Sequence, residues 1–378
     1  MVSGSLLKYF EIRRDAIIEA IREIVEIESP SHDVERSREV ADWVEKCFRS
    51  TGVDLTVERI FAEGDGEHVV IRAFPGDAKS VMLVGHTDTV HPVGTREKNP
   101  TRIDGDRFYG CGIFDMKANI VLMVEAFRYL KENNITPPRP VTIFLSCDEE
   151  VGSHSGREIL EREAVNAEMA LVFEPSAAGR IKTGRKGTGQ YVVNTHGIPA
   201  HAGLEPEKGA SAILELARQI ERLQSMNDPA AGTTVNATTI RGGTTSNVIP
   251  EFAETEVDVR FTSMAEAERI DREIKSLAPV DERVEISVIG GINRPPMERT
   301  DAIVQLFEKA RSIAATFDYE VGETQVGGAS DGNFIGALGI PVLDGLGIAG
   351  DGAHTLHEHI LVSDIAKRAT LVTLLLAS

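Results

Sequence analysis

The sequence predicts an α/β fold: a mixed, mainly parallel sheet with helices on both faces, interrupted by an inserted βαββαβ (ferredoxin-like) unit. Three observations predict it. Short, nearly unbroken apolar runs at Val81-Met82-Leu83-Val84, Val141-Thr142-Ile143-Phe144-Leu145 and Met169-Ala170-Leu171-Val172-Phe173 suit strands buried on both faces of a parallel sheet. Helical periodicity alternates with these runs, as in a layered α/β architecture. The pattern changes at Gly184-Arg185-Lys186-Gly187 and returns after Pro295-Pro296.

In order, Ile12, Ala16, Ile17, Ala20, Ile21, Ile24 and Val25 recur at helical spacing and predict a helix over 12–28. A second helix covers 33–50. Strands follow at 54–61, 68–73 and 81–85, then a helix at 119–130 beginning just after Asp115. Strands at 141–146 and 169–173 flank a helix at 155–163. The insert reads as strand 188–196, helix 208–226, strands 233–241 and 251–261, helix 264–277 and strand 284–290, a split βαβ sandwich. A helix at 300–315, a Gly-rich loop at 327–332, a strand at 341–343 and a helix from Ser363 complete the chain. The expected domains are therefore a discontinuous one, 1–184 with 296–378, and an insert, 185–295.

With 42% hydrophobic and 26% charged residues over 378 positions, the chain has the composition of an ordinary globular protein with a large core. Lys+Arg total 40 and Asp+Glu 59, a net charge of −19, which argues against nucleic acid and anionic membrane surfaces as partners. Cys47, Cys111 and Cys147 are too few and too scattered for a disulfide framework. No apolar run reaches the ~18 residues of a membrane span. The segment from Met1 to Phe10 lacks the apolar core of a leader, so a cytoplasmic location is expected.

Chemistry gathers at the strand ends. The 81–85 strand runs into His86-Thr87-Asp88, the 141–146 strand into Asp148-Glu149-Glu150, and the 169–173 strand into Glu174. In open α/β sheets ligands bind in the crevice outside the carboxyl ends of the strands. Asp115 sits in a turn entering a helix, and His354 in a late loop. Zinc accepts His nitrogen and carboxylate oxygen at about 2.0–2.2 Å, and two such ions about 3.5–4 Å apart act together on one water and one oxyanion. Such a pair needs one bridging carboxylate with terminal ligands on either side.

The set His86-Thr87-Asp88, Asp115-Met116-Lys117, Asp148-Glu149-Glu150-Val151-Gly152, Phe173-Glu174-Pro175, His201-Ala202-Gly203 and His354 with Glu358 resembles the dizinc metallopeptidase family of glutamate carboxypeptidase, aminoacylase, acetylornithine deacetylase and succinyl-diaminopimelate desuccinylase. The likeness spans nearly the whole chain. It implies two Zn2+ per subunit, with Asp115 bridging, His86 and Glu174 completing one site, and Glu150 and His354 the other. It implies Glu149 as general base, Asp88 orienting His86, and a cis peptide between Asp115 and Met116. His201 resembles a lid histidine that enters the partner subunit's active site and stabilises an oxyanion, which implies a homodimer formed through the insert. Asn247 and Arg260 resemble residues that hold a substrate's free carboxylate. Arg180 and Lys182 fall near a glutamate side-chain pocket, with Arg294 a further position reached by a gapped alignment. Glu rather than Asp at position 174 implies a carboxypeptidase or deacylase. The expected substrate is a small peptide or N-acyl amino acid, with glutamate release ahead of deacylation. Cys111, Ala118-Asn119 and the residues around His354 depart from the family pattern.

Beside these stand plainer expectations. His32, His68, His91 and His154 are read as surface or loop residues. His357 and His359 compete with His354, which is preferred because Glu358 follows it by four. Cys147 is read as a small buried residue rather than a nucleophile, there being no His-base pattern beside it. Arg185-Lys186 serves either as a domain junction or near the substrate. The competing functions are a non-catalytic binding module and a thiol hydrolase.

Overall fold

In a computed structural model, which describes residues 3–378, the chain forms two compact units. Met1 and Val2, at the start of the segment read as lacking a leader, lie outside the described residues. The first unit comprises residues 1–184, Arg299–Gln325 and Ser330–Ser378; the second comprises Arg185–Glu298 and Val326–Ala329.

The first unit opens with helix α1 (Ser3–Glu26). It starts nine residues before the predicted helix, because Leu6 and Phe10 continue the stripe that buries Ile17, Ile21 and Ile24. Ile12, counted in that stripe from the sequence, is 74% exposed. Helix α2 (Val34–Ser50) starts where the Asp33 carboxylate accepts the Arg36 amide at 3.1 Å, an N-cap. Strands β1 (Leu55–Ala62), β2 (Gly66–Ala73) and β3 (Ser80–His86) follow, then α3 (Ala118–Glu132), β4 (Val141–Ser146), α4 (Gly156–Ala164) and β5 (Ala167–Val172). After the insert come α5 (Asp301–Ala315), β6 (Val342–Leu343) and α6 (Val362–Leu376).

The central sheet has the order β1-β2-β4-β3-β5-β6. Pairings β4–β3, β3–β5 and β5–β6 are parallel, whereas β2 is antiparallel to both its neighbours. Helices cover both faces of this mixed, mainly parallel sheet. On one side α1, α3 and α6 pack on each other; elsewhere α4 packs on a short helix, Gly332–Ala337. Every residue of β3 and β4 is buried, which is why both read as continuous apolar runs rather than alternating ones. The carboxyl ends of β3, β4 and β5 therefore lie side by side.

Two small sheets were not foreseen. Ile181–Arg185 pairs with Glu323–Val326, and a four-strand meander joins Arg102–Asp104, Arg107–Tyr109, His359–Leu361 and Gly350–Asp351. Strands of two to five residues are too short for alternation to register in the sequence. The meander matters to the site because it anchors both ends of the loop that carries His354.

In the second unit, strands Gly187–His196, Thr234–Ala237, Phe252–Phe261 and Glu285–Arg294 and helices Ala212–Ser225 and Met264–Lys275 follow the βαββαβ order. The sheet is antiparallel throughout, with Gly187–His196 between Phe252–Phe261 and Glu285–Arg294, and Thr234–Ala237 at one edge. Its core joins Tyr191, Val193, Val257 and Phe261 to Leu216, Leu223, Ile270 and Ile274 of the helices. Val326–Ala329, placed by the sequence reading with the first domain, belongs to this unit. The Lys186 amide donates to Val326 O at 3.0 Å, and the Arg185 guanidinium donates to Gly328 O and Ala329 O at 3.0 and 3.2 Å. These bonds tie Arg185 and Lys186 to that segment within the second unit.

Candidate metal centre and active site

His86 ends β3 and is buried. Gly85 before it has no room for a side chain: a Cβ there would lie 2.4 Å from the Met116 methyl. The His86 Nε2 stands 3.1 Å from Asp115 Oδ1 and 3.5 Å from Glu174 Oε1. Its Nδ1 lies 2.9 Å from the Asp88 carbonyl oxygen, so the ring donates there and turns Nε2 toward the carboxylates. Asp115 occupies a non-helical turn at the entrance to α3, and its peptide bond to Met116 is cis. Its second oxygen, Oδ2, lies 3.3 Å from His354 Nε2, which is also 3.1 Å from Glu150 Oε2. One carboxylate thus stands between two imidazoles, each with a further carboxylate beside it. His354 is half exposed and adopts a left-handed backbone, φ 64°.

The structure brings His86, Asp115, Glu150, Glu174 and His354 together, with Glu149 beside them. Ligand atoms of His86, Asp115 and Glu150 lie within 4.8 Å of one another, as do those of His86, Glu149 and Glu174. Asp88 does more than touch the ring. Its Oδ1 accepts the Glu149 amide at 3.2 Å, and Oδ2 accepts the Glu150 amide at 3.1 Å and the Ser31 hydroxyl at 2.7 Å. It therefore clamps the turn that presents both glutamates.

Two residues named in the sequence reading have supporting roles that it did not foresee. Glu358 is wholly buried: Oε1 accepts the amides of Phe114 and Asp115 at 2.8 and 2.9 Å, and Oε2 accepts the Gly112 amide at 2.9 Å and faces His91 Nε2 at 2.8 Å. His91, expected at the surface, is buried for this contact. Asn119 is also fully buried and bonds to three backbone segments around the site. His68, likewise expected in a loop, is buried on β2, where its Nδ1 accepts the Cys147 amide at 3.2 Å and its Nε2 meets Ser155 Oγ at 3.0 Å. A histidine does therefore lie against Cys147. Burial nevertheless pushes that thiol far above its usual range, with the Asp148 charge adding to the effect, which disfavours the thiolate that a nucleophile needs.

The donor set fits divalent metal. Five nitrogen and oxygen ligands converge, and Glu150 Oε1 is buried without a hydrogen-bond partner, an acceptor that a cation would satisfy. Electrostatics agree. Burial alone would raise Asp115, but hydrogen bonds from His354 and His86 hold it below the usual carboxylate range. Burial and the Asp115 charge raise Glu150, against the opposing pull of His354. Bonds to Asp115 and Glu150 push His354 up to about 10. In the metal-free protein, protons on the imidazoles offset the crowded carboxylates.

A pH dependence follows. The folded-state value of His354, about 10, lies above its usual 6.5. Its proton therefore stabilises the metal-free fold fully below pH 6.5, and that contribution disappears as pH rises through about 10. A metal ion must displace this proton. Zinc binding at pH 7 is expected to release at least one proton per chain, with apparent affinity rising with pH. Calorimetry in two buffers of different ionisation enthalpy measures this, and identical heats in both would contradict it.

The remaining predicted residues lie elsewhere. Arg180 is exposed in the Ala177–Arg180 turn, its side chain beside Gly322, and does not join the cluster. Lys182 is buried, its amide donating to Asp344 O at 2.7 Å. In the second unit, His201 pairs with Val248 in a two-stranded ribbon, and the Ala202 amide donates to Asn247 O at 2.9 Å, so His201 and Asn247 share one exposed tip. Arg260 and Arg294 both pair with Thr188, one on each side, and so share a sheet face. The register shifts between Ile292 and Arg294. The Arg260 guanidinium is held by the Asp258 carboxylate at 2.7–3.1 Å.

The chain is similar in sequence and in fold to known proteins. The sequence profile described as Peptidase family M20/M25/M40 matches residues 82–378. Carboxypeptidase G2 of Pseudomonas sp. (strain RS-16) is 29% identical over 362 residues, covering 93% of this chain and 86% of that protein. A putative succinyl-diaminopimelate desuccinylase of Mycobacterium tuberculosis is 28% identical over 364 residues, covering 92% and 94%. Among solved structures, aminopeptidase PepT from Bacillus cereus superposes with a TM-score of 0.80 at 24% identity, covering 96% of this chain and 98% of that one. That last likeness is one of fold.

Proposed function

The chain belongs to peptidase family M20/M25/M40 and is a hydrolase of the metallopeptidase and amidohydrolase type, and from that premise we propose that it cleaves an amide bond to release an amino acid with a free carboxylate, as a glutamate carboxypeptidase does. The observation that carries this reading is the Asp115 carboxylate between His86 and His354, at 3.1 and 3.3 Å, flanked by Glu174 and Glu150. His86, Asp115 and Glu174 would hold one zinc ion, and Asp115, Glu150 and His354 the other. When bound, the pair supplies Lewis acidity to the amide carbonyl and to the attacking water.

The chain's own residues do the rest. Glu149 takes the water's proton and delivers it to the leaving nitrogen. Asp88 keeps Glu149 in place through its amide and fixes the ring of His86. His201 Nδ1 accepts the Gly203 amide at 3.2 Å, so in the neutral ring the proton sits on Nε2, the tautomer that donates to an oxyanion. It acts in the partner's active site, in a homodimer formed through the second unit. Arg260 and Arg294, flanking Thr188 on one sheet face about 10 Å apart by strand spacing, present guanidinium groups for the substrate's carboxylates, with Asn247 assisting. Asp258 holds Arg260 until a substrate carboxylate arrives. Carboxypeptidase G2 as a relative over 93% of the chain supports this choice.

A second reading, an N-acyl-amino-acid deacylase of the acetylornithine or succinyl-diaminopimelate type, gains from one observation. Arg180, expected beside a glutamate side chain, is exposed in its turn. Among the described residues no helix is long and apolar enough to cross a membrane. The test is hydrolysis by zinc-loaded protein of N-acyl and dipeptide substrates ending in Glu, Asp, Arg or Leu, with acetylornithine and succinyl-diaminopimelate alongside. Preference for C-terminal Glu, lost on chelation and reduced in Arg294→Ala, is the expected result. Turnover of the diamino-acid substrates alone selects the deacylase, and turnover that survives chelation removes the metal reading altogether.

A further inference from the structure

We infer that Asn119 is a positioning residue that fixes the spacing of two metal ligands and so sets the affinity of one metal site; this rests on the metal reading above. Asn119 lies in the first turn of α3 and is wholly buried. Its Nδ2 donates to the carbonyl of Phe173 at 2.8 Å and to that of Phe114 at 3.3 Å. Those peptides immediately precede Glu174 and Asp115. A single amide nitrogen therefore ties together the backbones that carry both carboxylates beside His86. Its Oδ1 accepts the Ile348 amide at 3.0 Å, which settles the amide's orientation, since the carbonyls require the donor end and the N–H the acceptor end.

The surroundings are shaped to this side chain. Gly347 donates its amide to Glu174 O at 3.0 Å. A Cβ on Gly347 would stand 2.3 Å from Asn119 Nδ2 and 2.7 Å from Glu174 O. Only glycine leaves Asn119 its place, so the segment after β6 and the first turn of α3 fit each other around the Glu174 peptide. None of these bonds reaches Glu150 or His354. The shorter of the two bonds, at 2.8 Å, lies next to Glu174, which belongs to the His86 site alone, whereas the bond beside the shared Asp115 is longer, at 3.3 Å, so loss of the amide should loosen the His86–Asp115–Glu174 site more than the other one.

The test is zinc titration of metal-free protein against a chromophoric chelator, with thermal unfolding recorded for each variant. Asn119→Asp keeps the shape and the acceptor for Ile348 but turns an oxygen toward two carbonyls. Gly347→Ala leaves Asn119 in the sequence and displaces it. Thr373→Val, which deletes a buried hydroxyl's bond to Ala369 O in α6, controls for general loosening. Wild type should bind two ions. Asn119→Asp and Gly347→Ala should each weaken one of them about 10- to 100-fold, the usual scale for partners that orient metal ligands, while Thr373→Val should lose stability without losing affinity. In a His354→Ala background, Asn119→Asp should still weaken the ion that remains. Unchanged binding by both site variants, or equal weakening in Thr373→Val, overturns the inference and leaves the metal reading intact. Wild-type protein that binds no zinc overturns both.

Discussion

Glu149→Gln is expected to lower kcat by about 10²- to 10⁴-fold while zinc content and KM stay near those of the wild type. The side chain is buried, and its backbone is pinned through Asp88, so glutamine fits the same place. What glutamine lacks is a basic oxygen to take the proton from water. The geometry also gives Glu149 a competing assignment, because its carboxylate lies within ligand range of His86 and Glu174. The two roles separate cleanly. A ligand replaced by glutamine costs metal, whereas a base replaced by glutamine costs turnover with both ions in place. Metal analysis beside steady-state kinetics decides between them. Loss of one zinc per chain in Glu149→Gln would make Glu149 a ligand and leave the proton transfer without a carrier.

The division between what the sequence told and what it withheld follows from range. β3, β4 and the last half of β5 are buried on both faces, so their apolar runs were plain, and His86, Glu174 and the Glu149-Glu150 pair follow directly from where those runs stop, though only the resemblance chose Glu150 as the ligand. Asp115 and His354 have no such marker. They were placed only by resemblance, because a cis turn and a left-handed loop residue leave no periodic trace. The residues that hold the ligands were harder still. Asp88 was read as a partner of His86, but its bonds to the amides of Glu149 and Glu150 join positions some sixty residues apart. His91 and Glu358 are 267 apart, and neither has a local pattern that distinguishes it from a surface residue. Asn119 was visible only as a departure from the family pattern, and its three backbone partners lie 5, 54 and 229 positions away. His68 was misplaced because alternation in β2 gives way to burial on both faces, so a polar residue there faces the core.

Glu358→Ala should be the most damaging single change outside the ligand set. The carboxylate accepts three backbone amides and faces the His91 ring, with no exposure to water. Deleting it strands the amides of Gly112, Phe114 and Asp115 together, and a buried donor without a partner costs roughly 1–3 kcal/mol. Some relaxation and water entry will recover part of the sum, so a net loss of about 3–5 kcal/mol is expected, the scale for breaking a buried charged group's contacts. Chemical denaturation of metal-free protein measures it. The same amides hold the turn in which Asp115 lies, and in the proposed metal reading Asp115 is the carboxylate both metal sites would share. Glu358→Ala should therefore weaken both ions alike, whereas the effect expected at Asn119 falls mainly on one. Glu358→Gln keeps one acceptor oxygen and should fall between wild type and alanine in both readouts. Stability within about 0.5 kcal/mol of wild type, the range of an ordinary surface substitution, with two zinc ions still bound, would mean that the turn holds Asp115 without this clamp. The start of α3 would then be what carries Asp115.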